Sequence, residues 1–157
     1  MKDNFGIKGL LKYELRDEFG NLKDAGSVPN TITELMDAHV ADQMSDSTDA
    51  AIGFIALGSG VGQTAASTDL AKYIAGTFLA LSGTLQGTGE ADNDVVYSGY
   101  WGAGVGTETG DGIREAGIFQ ASGTSRTTLM TYNSGLSISK GASDTLKIDW
   151  TVTFGAS

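Results

Sequence analysis

Apolar and polar residues alternate at both ends of the chain, and this period of two predicts β-strands. In the segment 7–17, Leu11, Tyr13 and Leu15 alternate with charged residues. Turn residues follow at Phe19-Gly20-Asn21, so residues 22–28 are expected to return as a hairpin partner. The last strand has the clearest alternation, with one face formed by Leu146, Ile148, Trp150, Val152 and Phe154. Both ends are therefore predicted to be strands with one buried face.

The period changes in residues 32–44, where apolar positions recur at helical spacing. This pattern predicts an amphipathic helix of about three turns, with Thr31 or Asn30 as its N-cap. The positions that share its apolar face are Ile32, Leu35, Met36, His39, Val40 and Gln43. Because His39 lies at the edge of that face, it is interpreted as a core or boundary side chain and not as a metal ligand.

The remaining segments are short and mostly β in character. Residues 52–57 and 113–121 are predicted as buried strands, and residues 70–74 as a short helical turn. Clusters of Gly, Ser, Thr and Asp separate the apolar runs at intervals of roughly ten residues, which is typical of an antiparallel sandwich or barrel. The sequence therefore predicts a mainly β, jelly-roll-like sandwich of about eight strands. It forms one domain over residues 1–157, with 1–9 as a candidate N-terminal arm.

Composition excludes several classes of protein. The chain has 157 residues, 23 glycines, one histidine, no cysteine and a net charge of −9. Disulfide frameworks and cysteine-based metal sites are impossible, and a histidine-dependent catalytic triad would have to use His39. The acidic balance disfavours nucleic acid as a partner. The N-terminus lacks an apolar signal core and no apolar run spans a bilayer, so a soluble protein made in the cytoplasm is expected, without membrane, cofactor or metal.

Three loops were candidates for binding sites. The glycine-rich stretch 58–62 follows a strand, but it lacks the lysine of a phosphate-binding loop and is interpreted as a flexible connection. The acidic group Glu90, Asp92, Asn93 and Asp94 either binds Ca²⁺ or forms a solvated turn, and its spacing favours the turn. The stretch 102–112 is either a loop ordered by a partner or a solvent loop.

Aromatic residues suggest an interaction surface. Tyr97, Tyr100 and Trp101 form the densest aromatic cluster, and alternation places Tyr100 on the opposite face from the other two. Such side chains anchor protein interfaces or sugar platforms, although core packing explains them equally well. With Phe5 and Ile7 of the N-terminal arm, they are the candidate interface residues. No catalytic, cofactor-binding or metal-binding residue is predicted.

Several short strings, taken in order, resemble small structural proteins of tailed bacteriophages. The first is Leu11-Lys12-Tyr13-Glu14-Leu15-Arg16-Asp17-Glu18-Phe19-Gly20-Asn21-Leu22, followed by Pro29-Asn30-Thr31-Ile32-Thr33 and the helix. Next are Phe54-Ile55-Ala56-Leu57-Gly58-Ser59-Gly60 and Thr68-Asp69-Leu70. The last are Ile113-Arg114-Glu115-Ala116-Gly117-Ile118-Phe119, Leu129-Met130 and the strand Asp144 to Phe154.

The resemblance implies a non-enzymatic virion protein, made in the host cytoplasm and incorporated into the particle. The first hypothesis is a capsid decoration, or cement, protein that binds the major capsid protein and stabilises the assembled shell. It would act as a small homo-oligomer, for which a trimer is one candidate. The alternative is a tail, neck or fibre component that binds a host glycan through the aromatic cluster. A glycan hydrolase is a third hypothesis, which no pair of carboxylates singles out.

Overall fold

The computed structural model describes residues 6–45, 50–87, 93–107, 110–120 and 126–155. Within these ranges it contains ten strands and one helix. The strands are β1 (Ile7–Arg16), β2 (Leu22–Pro29), β3 (Thr31–Ile32), β4 (Ile52–Gly58), β5 (Leu79–Ala80), β6 (Gly83–Gln86), β7 (Asp94–Trp101), β8 (Glu115–Gln120), β9 (Leu129–Asn133) and β10 (Thr145–Phe154), and the helix is α1 (Glu34–Ser45). They form two five-stranded antiparallel sheets, so the prediction of a mainly β sandwich with one helix is confirmed.

The first sheet, sheet A, has the strand order β2-β1-β10-β7-β6. Strands β1 and β10 pair along their whole length, from Ile7 opposite Phe154 to Arg16 opposite Thr145. The alternating apolar faces predicted for both strands therefore lie side by side on the inner surface of the sheet. The largest fully buried side chains there include Trp150, and this confirms the predicted inward face of β10.

The second sheet, sheet B, has the order β3-β9-β8-β4-β5 and is buried on both faces. Its inner face packs against sheet A through side chains such as Ile55 and Ile118. Alternate residues of its outer face form a smaller apolar cluster, which segment 59–78 covers. Phe78 of that segment stacks on Phe54 at 4.9 Å between ring centroids and meets Phe119 edge-on at 5.5 Å. The uninterrupted apolar runs of β4 and β8 follow from this double burial.

Helix α1 begins two residues later than the periodicity predicts, and the predicted caps are wrong. Thr31 instead pairs in β3 with Tyr132 of β9. Thr33 precedes the helix, but its hydroxyl donates to the carbonyl oxygens of Leu129 and Met130 at 2.6 and 2.9 Å. The start of the helix is thus fixed by sheet B and not by a side-chain cap of its own.

Two other local predictions differ from the structure. Residues 70–74 form no helical turn, because the amides of Ala71 and Lys72 donate to the Glu115 carboxylate and Tyr73 bridges to Gly58. Strand β6 is not evident from the sequence, since its residues lack apolar alternation and all are exposed. It forms because its backbone pairs with β7, so that β6 is the edge strand of sheet A.

Candidate interaction surfaces

The aromatic cluster divides between the core and the surface. Tyr97 and Trp101 are 6% and 0% exposed and pack in the core, where the indole Nε1 of Trp101 donates to the Thr77 carbonyl at 3.0 Å. Burial raises the pKa of Tyr97. Tyr100 lies on the opposite face of β7 and is 53% exposed. The predicted alternation is confirmed, but Tyr97 and Trp101 are corrected to core residues, so only Tyr100 of this cluster remains available for an interface.

Of the two N-terminal candidates, Ile7 lies at the opposite end of sheet A from Trp101. Phe5 lies outside the described residues. Ile7 is the first residue of β1, is half-buried, and packs at the edge of the core. It also lines a surface cavity described below.

A row of apolar side chains crosses the outer face of sheet A. Direct pairing places Leu10 opposite Thr151, Thr151 opposite Val96, and Val96 opposite Leu85. Two of these apolar side chains are exposed to solvent: Leu10 is 39% exposed and Leu85 is 71% exposed. On the far side of Leu10, the row continues to the exposed Pro29 of β2. We call this set the transverse row.

Basic and acidic side chains on the same face are nearly equal in number, whereas the whole chain has an excess of acidic residues. The outward positions of β1, β7 and β10 carry four basic and three acidic residues: Lys8, Lys12, Arg16 and Lys147, with Glu14, Asp94 and Asp149. Asp149 accepts from Ser98 at 2.7 Å and pairs with Lys147 at 3.0 Å. A shallow depression of about 500 Å³ lies beside Leu10. A chain of net charge −9 thus has one face with little net charge and an apolar centre.

A groove lies where helix α1 meets the end of the sandwich. It consists of a cavity of about 350 Å³ and a neighbouring one of about 230 Å³, which share Val40 and Met44. Apolar side chains from three strand ends complete the lining, namely Ile7, Ile52 and Phe154. We call this feature the α1 groove.

The groove exists because the core covers only part of the apolar face of the helix. Met36 and His39 are buried, which agrees with the interpretation of His39 as a core or boundary residue. Val40 is half-buried and Met44 is 82% exposed at the groove rim. The exposed acidic residues Glu34 and Asp37 lie on the same helix, which carries no basic residue.

The β1–β2 hairpin ends in an apolar tip. Phe19 is 81% exposed and Leu22 is 55% exposed. Asp17 braces this turn, because its carboxylate accepts from the amides of Phe19 and Asn21 at 2.9 and 2.8 Å. Gly20 supplies the left-handed backbone (φ 81°) that the turn requires. We call residues 17–22 the hairpin tip. These hydrogen bonds, first those with Asn21, hold the pKa of Asp17 below its ordinary value.

The buried carboxylate of Glu115 holds segment 59–78 onto sheet B. It accepts backbone hydrogen bonds from Gly60, Ala71 and Lys72 at 3.1, 3.0 and 2.7 Å. Gly58 leaves room for it, since a Cβ there would lie 2.3 Å from Glu115 Oε1. Gly58 and Gly60 therefore support a structural clasp, which joins two of the strings that carry the phage resemblance, Phe54 to Gly60 and Ile113 to Phe119.

A second buried charge lies under the loop after β7. Lys140 is fully buried and donates from Nζ to the Gly102 carbonyl at 2.9 Å, and desolvation lowers its pKa. Asp144 nearby accepts from Lys23 at 2.6 Å and from the Gly141 amide, and these two bonds lower its pKa. The described part of the 102–112 stretch is thus attached to the loop before β10.

The acidic group at 90–94, predicted as a Ca²⁺ site or a solvated turn, is described only in part. Glu90 and Asp92 of the acidic group lie outside the described residues, while Asn93 donates to the Phe154 carbonyl and Asp94 accepts from Thr153. Among the described residues, no three His, Asp or Glu side chains are placed to hold a metal ion. In the same part of the chain, the helix is too short to cross a membrane.

Comparison with family models, with curated proteins and with solved structures finds no match for this chain. Function is therefore inferred from its surfaces and from the sequence resemblance.

Sequence reasoning missed the transverse row, the α1 groove and the hairpin tip. A signal for the row was present: in the consecutive pairs Leu10-Leu11 and Val95-Val96, alternation requires one member to face outward. The signal for the hairpin tip was Phe19, a large aromatic residue directly before the turn residues Gly20 and Asn21.

Proposed function

We propose that this chain is a non-enzymatic structural protein of a tailed bacteriophage, a decoration protein that binds the assembled capsid through the outer face of sheet A. The observation that carries the proposal is the transverse row, whose members Leu10 of β1 and Leu85 of the edge strand β6 are exposed on a five-stranded sheet. A flat face with an apolar centre and a polar surround matches the composition of a protein interface. The sequence resemblance supports the capsid as the partner.

The low net charge of this face supports the same partner. Capsid proteins present a closed, extended surface, and a uniformly acidic face would have to be desolvated against it. On sheet A the charges are instead paired locally, as in the contact of Lys147 with Asp149. Binding can thus bury the transverse row without leaving an unpaired charge at the centre of the contact.

The mechanism of such a protein is thermodynamic. A ligand that binds the assembled shell and not its dissociated subunits stabilises the assembled state by mass action. Many copies on one shell, each a small homo-oligomer, add up to a large effect even if each contact is weak. Tyr100 lies on the same outer face as the transverse row and would contact the shell at its margin.

The test uses particles of the phage that carries this gene. Gold-labelled antibody against the chain is expected on the heads, and particles lacking the chain should lose genome at a lower temperature. Purified protein should rebind those depleted heads, whereas Leu85→Lys should bind at least about tenfold more weakly, because it replaces an exposed apolar side chain of the transverse row with a charge. Lys72→Ala, far from this face, is the matched control and should rebind normally.

Other outcomes are equally informative. Label confined to the tail or neck would replace the capsid proposal with the tail alternative. Label absent from the particle, or heads of unchanged heat resistance without the chain, would overturn the decoration function. Normal rebinding by Leu85→Lys would show that sheet A is not the binding face.

A further inference from the structure

The chain carries an apolar projection and an apolar recess at opposite ends of one strand. Ile7, the first residue of β1, lines the α1 groove, and Arg16, the last residue of β1, leads directly into the hairpin tip. A ten-residue strand is about 30 Å long, so the tip of a chain cannot reach its own groove. The hairpin tip can therefore reach an α1 groove only on another molecule.

We propose that the hairpin tip of one copy inserts Phe19 into the α1 groove of a second copy. The main cavity of the groove, about 350 Å³, is within the size range of pockets that hold small apolar groups. Its walls are mainly apolar, with Gln43 and Thr84 among the polar members and Met44 at the entrance, and methionine adapts well to an inserted ring. The occupant is thus a second copy of this chain.

The tip is preorganised for this role. Three hydrogen bonds to the Asp17 carboxylate, from Phe19 N, Asn21 N and Asn21 Nδ2, fix the turn. Arg16 Nη1 also donates to the Gly20 carbonyl at 3.0 Å. A projection that is already ordered loses little conformational entropy on binding, which favours association. The ring is also accessible, since Phe19 is the second most exposed large apolar side chain among the described residues.

The arrangement restricts the symmetry of the assembly. Because the hairpin tip and the α1 groove are different surfaces, two kinds of assembly can form. In a ring, each copy inserts its tip into the groove of the next copy. In an antiparallel pair, the two copies insert their tips into each other's grooves, which gives two junctions. Both assemblies contain the same junction between Phe19 and Met44. The inference specifies how copies contact each other and does not depend on capsid binding.

The decisive experiment mixes two variants. Phe19→Lys removes the projection, and Met44→Lys puts a charge at the groove entrance. Both side chains are more than 80% exposed, so the variants should fold normally. In sedimentation velocity the wild-type chain should form oligomers, and each variant alone should dissociate at a concentration at least about tenfold higher.

An equimolar mixture should form a 1:1 heterodimer, because one intact tip then meets one intact groove. Val61→Lys, at an exposed position of segment 59–78 that lines neither the α1 groove nor the transverse row, is the control and should associate like the wild type. A wild type that stays monomeric up to about 1 mM, the weak limit of useful affinity, would overturn the proposal. So would a Phe19→Lys variant that associates normally, or a mixture that stays monomeric.

Crosslinking tests the same junction directly, since the chain has no cysteine of its own. A Glu18→Cys chain mixed with a Gln43→Cys chain should form a mixed disulfide faster than Glu18→Cys mixed with Val61→Cys, because Val61 is exposed but does not line the groove. Equal rates for both pairs would contradict the junction. Because neither readout involves a capsid, failure here leaves the decoration function unaffected, and failure on the capsid leaves this junction unaffected.

Discussion

Glu115 Oε1 accepts a hydrogen bond from the amide of Gly60 at 3.1 Å, and this contact joins sheet B to the segment that covers it. The same carboxylate binds two further amides, of Ala71 and Lys72. Three backbone donors thus satisfy this buried carboxylate. Together with the stacking of Phe78 on Phe54, these bonds hold the segment between β4 and β5 on sheet B.

Glu115→Gln should destabilise the fold by about 2–4 kcal/mol, because an amide NH₂ would face backbone donors and leave buried groups unpaired. Urea unfolding followed by circular dichroism measures the change in free energy. Glu14→Gln, at an exposed position of β1, should change stability by less than about 0.5 kcal/mol. Equal effects of the two substitutions would contradict the clasp.

Two substitutions of Lys140 distinguish the contribution of its aliphatic stem to stability from that of its charge. Lys140→Ala should cost about 2–4 kcal/mol, since it opens a cavity and removes the bond to the Gly102 carbonyl. Lys140→Met keeps the aliphatic stem and removes a charge that burial disfavours, so it should cost less than Lys140→Ala. Thermal unfolding of the three proteins gives the order. If both variants were equally unstable, the charge and not the stem would be the stabilising element.

The hairpin tip should loosen in acid. The folded-state pKa of Asp17 is lowered, chiefly by its hydrogen bonds with Asn21. Its contribution to stability is therefore complete above about pH 5 and is lost as the pH falls through the lowered pKa. The stability difference between the wild type and Asp17→Asn should shrink over that acidic range. Glu18→Gln removes the neighbouring charge but keeps the bonds of the turn, and its difference from the wild type should vary less.

Self-association should strengthen with salt. Glu18 lies beside Phe19, Asp37 lines the groove, and the whole chain is acidic, so copies repel each other at long range. Raising the salt concentration from about 0.1 M to about 1 M shortens the screening length from about 10 Å to about 3 Å. Sedimentation equilibrium should then give a lower dissociation constant. Weaker association in salt would indicate a charge-driven contact at another surface.

Much of the fold was predictable because it depends on local periodicity. The strands β1 and β10, the double burial of β8 and the existence of α1 all follow from apolar spacing. The helix start was not predictable, since Thr33 is bound by the carbonyl oxygens of β9, almost a hundred residues later in the sequence. Segment 59–78 was missed for the same reason: its position on sheet B depends on hydrogen bonds to Glu115, which is distant in the sequence.

The candidate surfaces were predictable only in part. Alternation correctly separated Tyr100 from Tyr97 and Trp101, but it could not show which face was the inner one. The transverse row requires knowledge of which strands are neighbours, because Leu10, Val96 and Leu85 come from three distant segments. The strand order that unites them is a property of the whole sheet.

The position of β10 between β1 and β7 has a consequence for how the molecule folds. The strand that follows all the others in sequence occupies the middle of sheet A, so β1 and β7 expose open edges until it is inserted. Pairings over such long sequence separations are formed slowly. Newly made chains should therefore pass through an aggregation-prone stage before β10 is inserted, and folding should proceed on the slow, millisecond-to-second scale.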